Sequence, residues 1–423
     1  MSDSGRNNRT SSKPFQITKK MVWQAYLDIK GKGKAAGVDL QSLEDFEDNL
    51  KDNLYRLWNR MASGSCFPPA VRRVDIPKGD GKSRPLGIPT VSDRIAQIVV
   101  KNYLAPVLEP HFDPDSYGYR PGKSAHDAVV IARQRCWKKN WVLDLDIKGF
   151  FDSIDHNLMM KALLRHTQTK WILLNAERWL CASVQLPDGK IEQRKRGTPQ
   201  GGVISPLLAN LFLHYSFDRW MRIYHPGNEF ARYADDIICH CSSWQEAERL
   251  KDSLAKRFEA CGLTLHPEKT QVVYCKDSRR RENYAVLQFR FLGFCFRPRA
   301  AVDRQGQVFT SFLPGVSQKA LEKMRERIKN WRFGDHALLP LEEIARFINP
   351  ILMGWWQYYG RVYRSSMFRL FKYLDERLAY YLRRKYRDLW RHKGQSYRIL
   401  NQIVKENPGW LVHWQKFGHA MVK

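Results

Sequence analysis

An α+β fold is predicted by three features of this sequence. Short apolar runs broken by paired acids, VLDLDIKGFF at 142–151 and FARYADDIICHC at 230–241, have the length and content of buried strands. The stretch VRRVDIPKGDGKSRPLGIP, from residue 71, alternates and carries a Gly-Asp-Gly turn at its middle, which reads as a β-hairpin. From about residue 316 the chain becomes helical, basic and aromatic.

Taken in order, residues 1–36 read as a polar tail followed by a first helix. The tail, MSDSGRNNRTSS, lacks the apolar stretch of a signal peptide. Between about 38 and 60 the spacing of Phe46, Leu50, Leu54 and Leu57 predicts a helix with one apolar face. After the hairpin, Asp93 is expected to cap a helix running toward Leu104, and another helix is expected after Ser124. Ser205-Pro206 starts a helix continued by Leu207, Leu208, Leu211, Phe212 and Tyr215. FARYADDIICHC reads as strand, tight turn, strand; 262–275 and 287–296 are further strand candidates. In the C-terminal part Met367, Leu370, Phe371, Leu374, Leu378, Tyr381 and Leu382 share one helical face, with Arg369, Lys372, Arg383, Arg387 and Arg391 on the other.

The bulk numbers narrow the class. A length of 423 residues suits about three domains, and 43% hydrophobic with 13% aromatic residues is enough to bury several cores. No run of 18 apolar residues occurs, so no membrane span is expected and a cytoplasmic protein is the default. Lys and Arg number 71 against 43 Asp and Glu, a net charge of +28 that attracts polyanions and favours nucleic acid as partner. The eight cysteines show no CxxC spacing, so zinc is not expected; Cys239 and Cys241 fall on one strand face and read as core. Between 361 and 393, eleven basic residues and eight aromatics stand against three acids, a mixture suited to phosphate contact and base stacking.

Acids inside apolar strands have no structural reason to be there. Hard divalent cations take oxygen ligands, and a pair of such ions assists in-line displacement at phosphorus by stabilising both the attacking and the leaving oxygen. Asp144 and Asp146 alternate along one strand, while Asp235 and Asp236 sit at a turn that can aim an acid into a cleft. Asp-Asp in a turn is ordinary by itself. Its pairing with LDLD across a Gly-rich loop is not.

At these residues the chain resembles the reverse transcriptases, and more narrowly the maturase–reverse transcriptases encoded by bacterial group II introns, over roughly residues 37 to 415. Tyr233-Ala234-Asp235-Asp236 matches the YxDD box, and Asp146-Ile147-Lys148-Gly149-Phe150-Phe151-Asp152 looks like the first aspartate box. The resemblance implies a right-hand polymerase fold, with fingers and palm carrying an antiparallel sheet over 37–300 and an α-helical thumb and maturase RNA-binding domain over 301–423. It implies Asp146, Asp235 and Asp236 as catalytic metal ligands, with the Ile147 carbonyl as a backbone donor and Asp144 as a supporting acid. Two Mg²⁺ ions (Mn²⁺ as substitute) and dNTP substrates follow from it. Phe151 falls at the sugar gate that selects deoxynucleotides, with Phe150 the neighbour that would swap roles. Gln200 and Gly201, in Pro199-Gln200-Gly201, match the loop lining the nucleotide pocket. Lys78 and Arg84 on the hairpin grip the triphosphate, with Lys82 a candidate to share that work. Lys269 aligns with the lysine that protonates pyrophosphate, and Phe294 lies in the primer-grip strand pair.

INPILMGWWQYYGRVY at 348–363 looks like the family's maturase segment; its rings read equally as helix core. Implied partners are intron RNA, an RNA template with a DNA primer, and target DNA, with a homodimer left open and a nucleoid or ribonucleoprotein location expected. The zinc-bound HNH endonuclease of some relatives is missing before Lys423, so second-strand cleavage is not expected. The expected function is RNA-directed DNA polymerisation joined to intron RNA binding for splicing and target-primed reverse transcription. The alternatives are a domesticated or defence-associated reverse transcriptase, and an RNA-binding maturase without polymerase activity.

Overall fold

The computed structural model describes residues 13–422 apart from residue 34 and residues 79–81, and the side chains of Lys78 and Lys82 also lie outside the described part. Eleven strands are present among the described residues: β1 Val71–Lys78, β2 Lys82–Ile88, β3 Trp141–Asp146, β4 Val184–Gln185, β5 Ile191–Glu192, β6 Phe230–Tyr233, β7 Asp236–Cys241, β8 Gln271–Tyr274, β9 Phe289–Phe291, β10 Phe294–Val302 and β11 Val308–Val316. They form sheets of order β2-β1-β4-β5, β6-β7-β3-β8 and β11-β10-β9, and the remaining elements are mostly helices. The fold class is α+β.

The chain divides into two compact units. One takes residues 1–123, 145–237 and 248–270; the other takes 124–144, 238–247 and 271–423.

In the first unit, β1 and β2 pair antiparallel with Val74 opposite Leu86 and Lys78 opposite Lys82, as the alternation predicts. The Gly-Asp-Gly turn itself lies outside the described residues. The helix expected over 38–60 is two helices, Leu43–Asp48 and Leu50–Ser63, because Asn49 adopts φ −121°, ψ 39° and breaks the run. Thr90, not Asp93, caps the helix Val91–Leu108: its hydroxyl accepts the Asp93 N–H at 3.2 Å. Asp93 turns inward instead, where Trp179 Nε1 donates to it at 2.6 Å and Gln97 Nε2 at 2.9 Å. A β-region Thr before the first turn is the better cap, and the carboxylate one turn in is released for the core.

The helix Ser205–Leu213 begins with Pro206 in its first turn, as expected, and runs through a wide π turn, His214–Asp218. π turns re-aim side chains and frequently mark functional sites. Here the turn ends on Asp218, which is fully buried.

In the second unit Ser124 caps the helix Ala125–Lys138 with a capping box to Asp127. The Phe side chains at 289, 291, 294, 296 and 312 are buried to within 1% and form the inner face of β9-β10-β11. Every member of the predicted apolar face, from Met367 through Leu382, is buried at 2% exposure or less. Each such side chain contributes about 1.5–3 kcal/mol by leaving water. Arg369, Lys372, Arg387 and Arg391 on the opposite face are exposed, whereas Arg383 is half-buried and donates to Ser396 Oγ at 2.9 Å. Trp355, Trp356 and Tyr359 pack partly into the helical core, where Trp355 stacks on Trp331 at 5.9 Å, while the Tyr358 ring lies on Phe294 of β10 at 5.5 Å. Cys239 and Cys241 are buried, in keeping with their reading as core residues. No described helix is long and apolar enough to cross a membrane.

Candidate active site

β3 ends at Asp146, sooner than the run to Phe151 implied. Gly149 at φ 56° then turns the chain into a short helix, Phe150–Ser153. The strand's last carboxylate is therefore delivered to the sheet's end. The segment 264–270 is strapped to it: His266 N–H donates to the Asp146 carbonyl at 2.7 Å, Lys148 N–H donates to the Thr264 carbonyl at 2.9 Å, and Ile147 bridges Leu265. The strap places the Lys269 ammonium 2.7 Å from Asp146 Oδ2. Asp144, two residues back, accepts from Gln271 Nε2 at 3.1 Å.

Asp235 sits in the β6–β7 turn and Asp236 opens β7. The turn is held from beneath by a buried set that sequence reading missed. Ala234 adopts φ 56°, a left-handed backbone costly for a residue with a Cβ. Arg232, with no exposed surface, donates from Nη1 to the Ala234 carbonyl at 3.1 Å and to Asn210 Oδ1 at 3.0 Å. Its Nε donates to Asp218 at 2.7 Å. Asn210 Nδ2 in turn donates to the Gly118 carbonyl at 2.6 Å. Gly118 has no room for a side chain: a Cβ there would stand 2.4 Å from Ala234 N. The only sequence signal was a charge, Arg232, inside an otherwise apolar strand, the same sign that marked Asp146.

The loop after β5 completes one wall. Thr198 N–H donates to the Phe151 carbonyl at 2.7 Å, and Gly87 N–H donates to the Gln200 carbonyl at 2.6 Å. Gly201 at φ 113° lies so close to β2 that a Cβ would meet the Gly87 carbonyl at 2.5 Å. Arg73, Asp152, Arg194 and Gln200 line a cavity of about 310 Å³ here. Of the two candidate gate rings, Phe150 is buried at 2% exposure and packs toward Phe212, while Phe151 is only partly buried. Phe151 is the ring with an open edge.

The electrostatics link these pieces. Burial pushes the Asp235 carboxyl above its ordinary range; the Asp146 charge adds to that push and the Arg84 charge opposes it. Tyr119, exposed and at φ 57°, is raised by partial burial and then by Asp235, again against Arg84. Asp146, Asp235, Arg84 and Tyr119 thus share one field. Among the described residues no three His, Cys, Asp or Glu side chains stand close enough to hold an ion alone. Mg²⁺ usually takes one or two carboxylates and completes its shell with substrate phosphates and water, so an all-oxygen pair whose charges repel fits that ion. The Lys78 side chain, expected to grip the triphosphate beside Arg84, lies outside the described residues.

Comparison with known proteins assigns the chain to a family. Residues 76–296 match the family model described as reverse transcriptase (RNA-dependent DNA polymerase), and 321–401 match that of the group II intron maturase-specific domain. Protein YkfC of Escherichia coli is 34% identical over 311 residues, covering 62% of this chain and 81% of that one. The group II intron-encoded protein LtrA of Lactococcus lactis is 27% identical over 429 residues, covering 79% and 68%. A putative COX1/OXI3 intron 1 protein of Saccharomyces cerevisiae is 25% identical, covering 62% and 37%. The chain belongs to the reverse transcriptases, in the group II intron branch that carries a maturase-specific domain. Membership carries RNA-directed DNA polymerisation and assistance to splicing.

Proposed function

We propose that polymerisation proceeds by a two-metal mechanism at Asp146, Asp235 and Asp236, with the Ile147 carbonyl as a further donor. Two Mg²⁺ ions would supply charge stabilisation at the attacking 3′-oxygen and at the leaving pyrophosphate. The chain's own residues do the positioning. Asp146 is fixed at the strand end by the 264–270 strap, and Asp235 is aimed by the turn that Arg232 holds. Arg84 and Lys78 bind the triphosphate, Gln200 and Gly201 line the nucleotide's pocket, and Phe151 closes against a 2′-hydroxyl. Lys269 holds a proton beside the reacting centre for the leaving pyrophosphate. In this reading residues 37–300 are fingers and palm and 301–423 thumb and maturase domain. The template is intron RNA and the primer is supplied at a DNA target, so that reverse transcription completes insertion.

The observation that carries the reading is geometric: β3 ends on Asp146, and Asp235 and Asp236 stand where β7, its neighbour in the sheet, begins. The test is extension of a DNA primer on an RNA template with Mg²⁺. Replacing Asp235 and Asp236 with Ala is expected to abolish extension while RNA affinity stays near wild type. Surviving extension would overturn the metal assignment.

A further inference from the structure

Strand alternation sorts the β9-β10-β11 sheet into two unlike faces. Phe291 stands opposite Phe294, and Phe289 opposite Phe296; these rings fill the core. On the other face Arg290 stands opposite Cys295, and Arg297 and Arg299 follow at the period of two. This arginine face is not solvated flatly. It lines a cavity of about 500 Å³, closed on other sides by Gln318, by Tyr363, Ser365 and Ser366, and by Arg369 at the start of the helix Phe368–Lys385.

Three observations make this a built site. No carboxylate lines the cavity, and among the described residues none of its four guanidiniums pairs with an acid. Arg299 is anchored, donating from Nε to the Leu313 carbonyl at 3.2 Å and from Nη2 to the Cys295 carbonyl at 3.1 Å, and it lies over the Tyr363 ring at 5.5 Å. Room for it is kept by Gly315, where a Cβ would come within 2.7 Å of the guanidinium. Four like charges held together against their repulsion are unfavourable unless an anion completes them.

We infer that this cavity binds phosphodiester groups of an RNA strand, with Arg290, Arg297 and Arg369 as the exchangeable contacts and Arg299 as the fixed one. Guanidinium forks match phosphate oxygens two at a time, and the Ser365 hydroxyl and the Tyr363 ring suit a backbone and a neighbouring base or sugar. An acidic peptide would satisfy the charge but has no use for the hydroxyl-lined wall. The inference rests on the chain's binding RNA and not on polymerisation, so failure of primer extension leaves it standing or falling by itself.

The test uses the full chain and a fluorescent single-stranded RNA. In the variant with Arg290→Gln, Arg297→Gln and Arg369→Gln, the slope of log affinity against log salt is expected to flatten by about 2, with affinity weaker by on the order of tenfold. An unchanged slope would overturn the inference. A second arm needs no substitution: half-buried Cys295 forms part of the wall, so RNA is expected to protect it from alkylation, read by mass spectrometry. Protection by inorganic phosphate or an acidic peptide, with none by RNA, would overturn the assignment to RNA.

Discussion

The Lys269 ammonium lies 2.7 Å from Oδ2 of Asp146, an ion pair between a strand end and the loop strapped across it. Both partners keep solvent contact, so the pair contributes little to stability, about 0–1 kcal/mol. Its value is positional. Lys269→Met is expected to leave the melting temperature nearly unchanged while slowing single-turnover primer extension by roughly 100-fold, the lower range for loss of a proton donor. A large drop in melting temperature with an intact rate would assign Lys269 to structure alone.

Phe150 and Phe151 touch edge to face at 5.3 Å but differ in burial, and this separates their expected phenotypes. Phe151→Ala is expected to fold normally and to incorporate ribonucleotides, measured as the ratio of kcat/KM for dNTP over rNTP. Phe150→Ala opens a core cavity and is expected to cost about 3–5 kcal/mol in chemical denaturation. If Phe150→Ala alone relaxed sugar selection, the gate would be Phe150.

What the sequence disclosed at this site followed from local rules. The alternating hairpin, the Ser205-Pro206 helix start and the apolar face from Met367 to Leu382 all depend on residues close in the chain. The acids were visible because charge in an apolar strand stands out. The Arg232–Asp218–Asn210 support and Gly118 were not visible, since they join residues far apart in sequence through one buried guanidinium. Asp93 was misread for a related reason: a carboxylate three residues into a helix looks like a cap until a distant Trp179 claims it. The arginine face of β10 was hidden by its own Phe neighbours, which read as core without saying what the alternate positions do.

Asp93 gives a prediction in pH. Burial raises its pKa to about 6, with the Trp179 and Gln97 hydrogen bonds opposing. Between about pH 4 and 6 the folded protein holds a proton that the unfolded chain has lost. Stability therefore falls as pH rises through that window and is flat above it, by about 3 kcal/mol in all from this group. Asp93→Asn is expected to remove that slope, read as the difference between wild-type and variant unfolding free energies across the window. A difference independent of pH would mean that Asp93 stays ionised when folded.

Asp375, fully buried in the helix Phe368–Lys385, ties down the last stretch of described chain. It accepts from His413 Nε2 at 2.7 Å and Trp414 Nε1 at 3.0 Å through one oxygen, and from Met421 N–H at 2.6 Å through the other. His413 also stacks on Phe371 at 5.0 Å. Removing the carboxylate leaves three donors without an acceptor inside a core, so Asp375→Ala is expected to cost about 3–5 kcal/mol. Because those donors lie between residues 413 and 421, the loss should begin there. Hydrogen exchange of 411–422 is expected to accelerate before that of 368–385. Uniform acceleration of both segments would instead make Asp375 a part of the helical core as a whole, with no separate hold on the terminal segment.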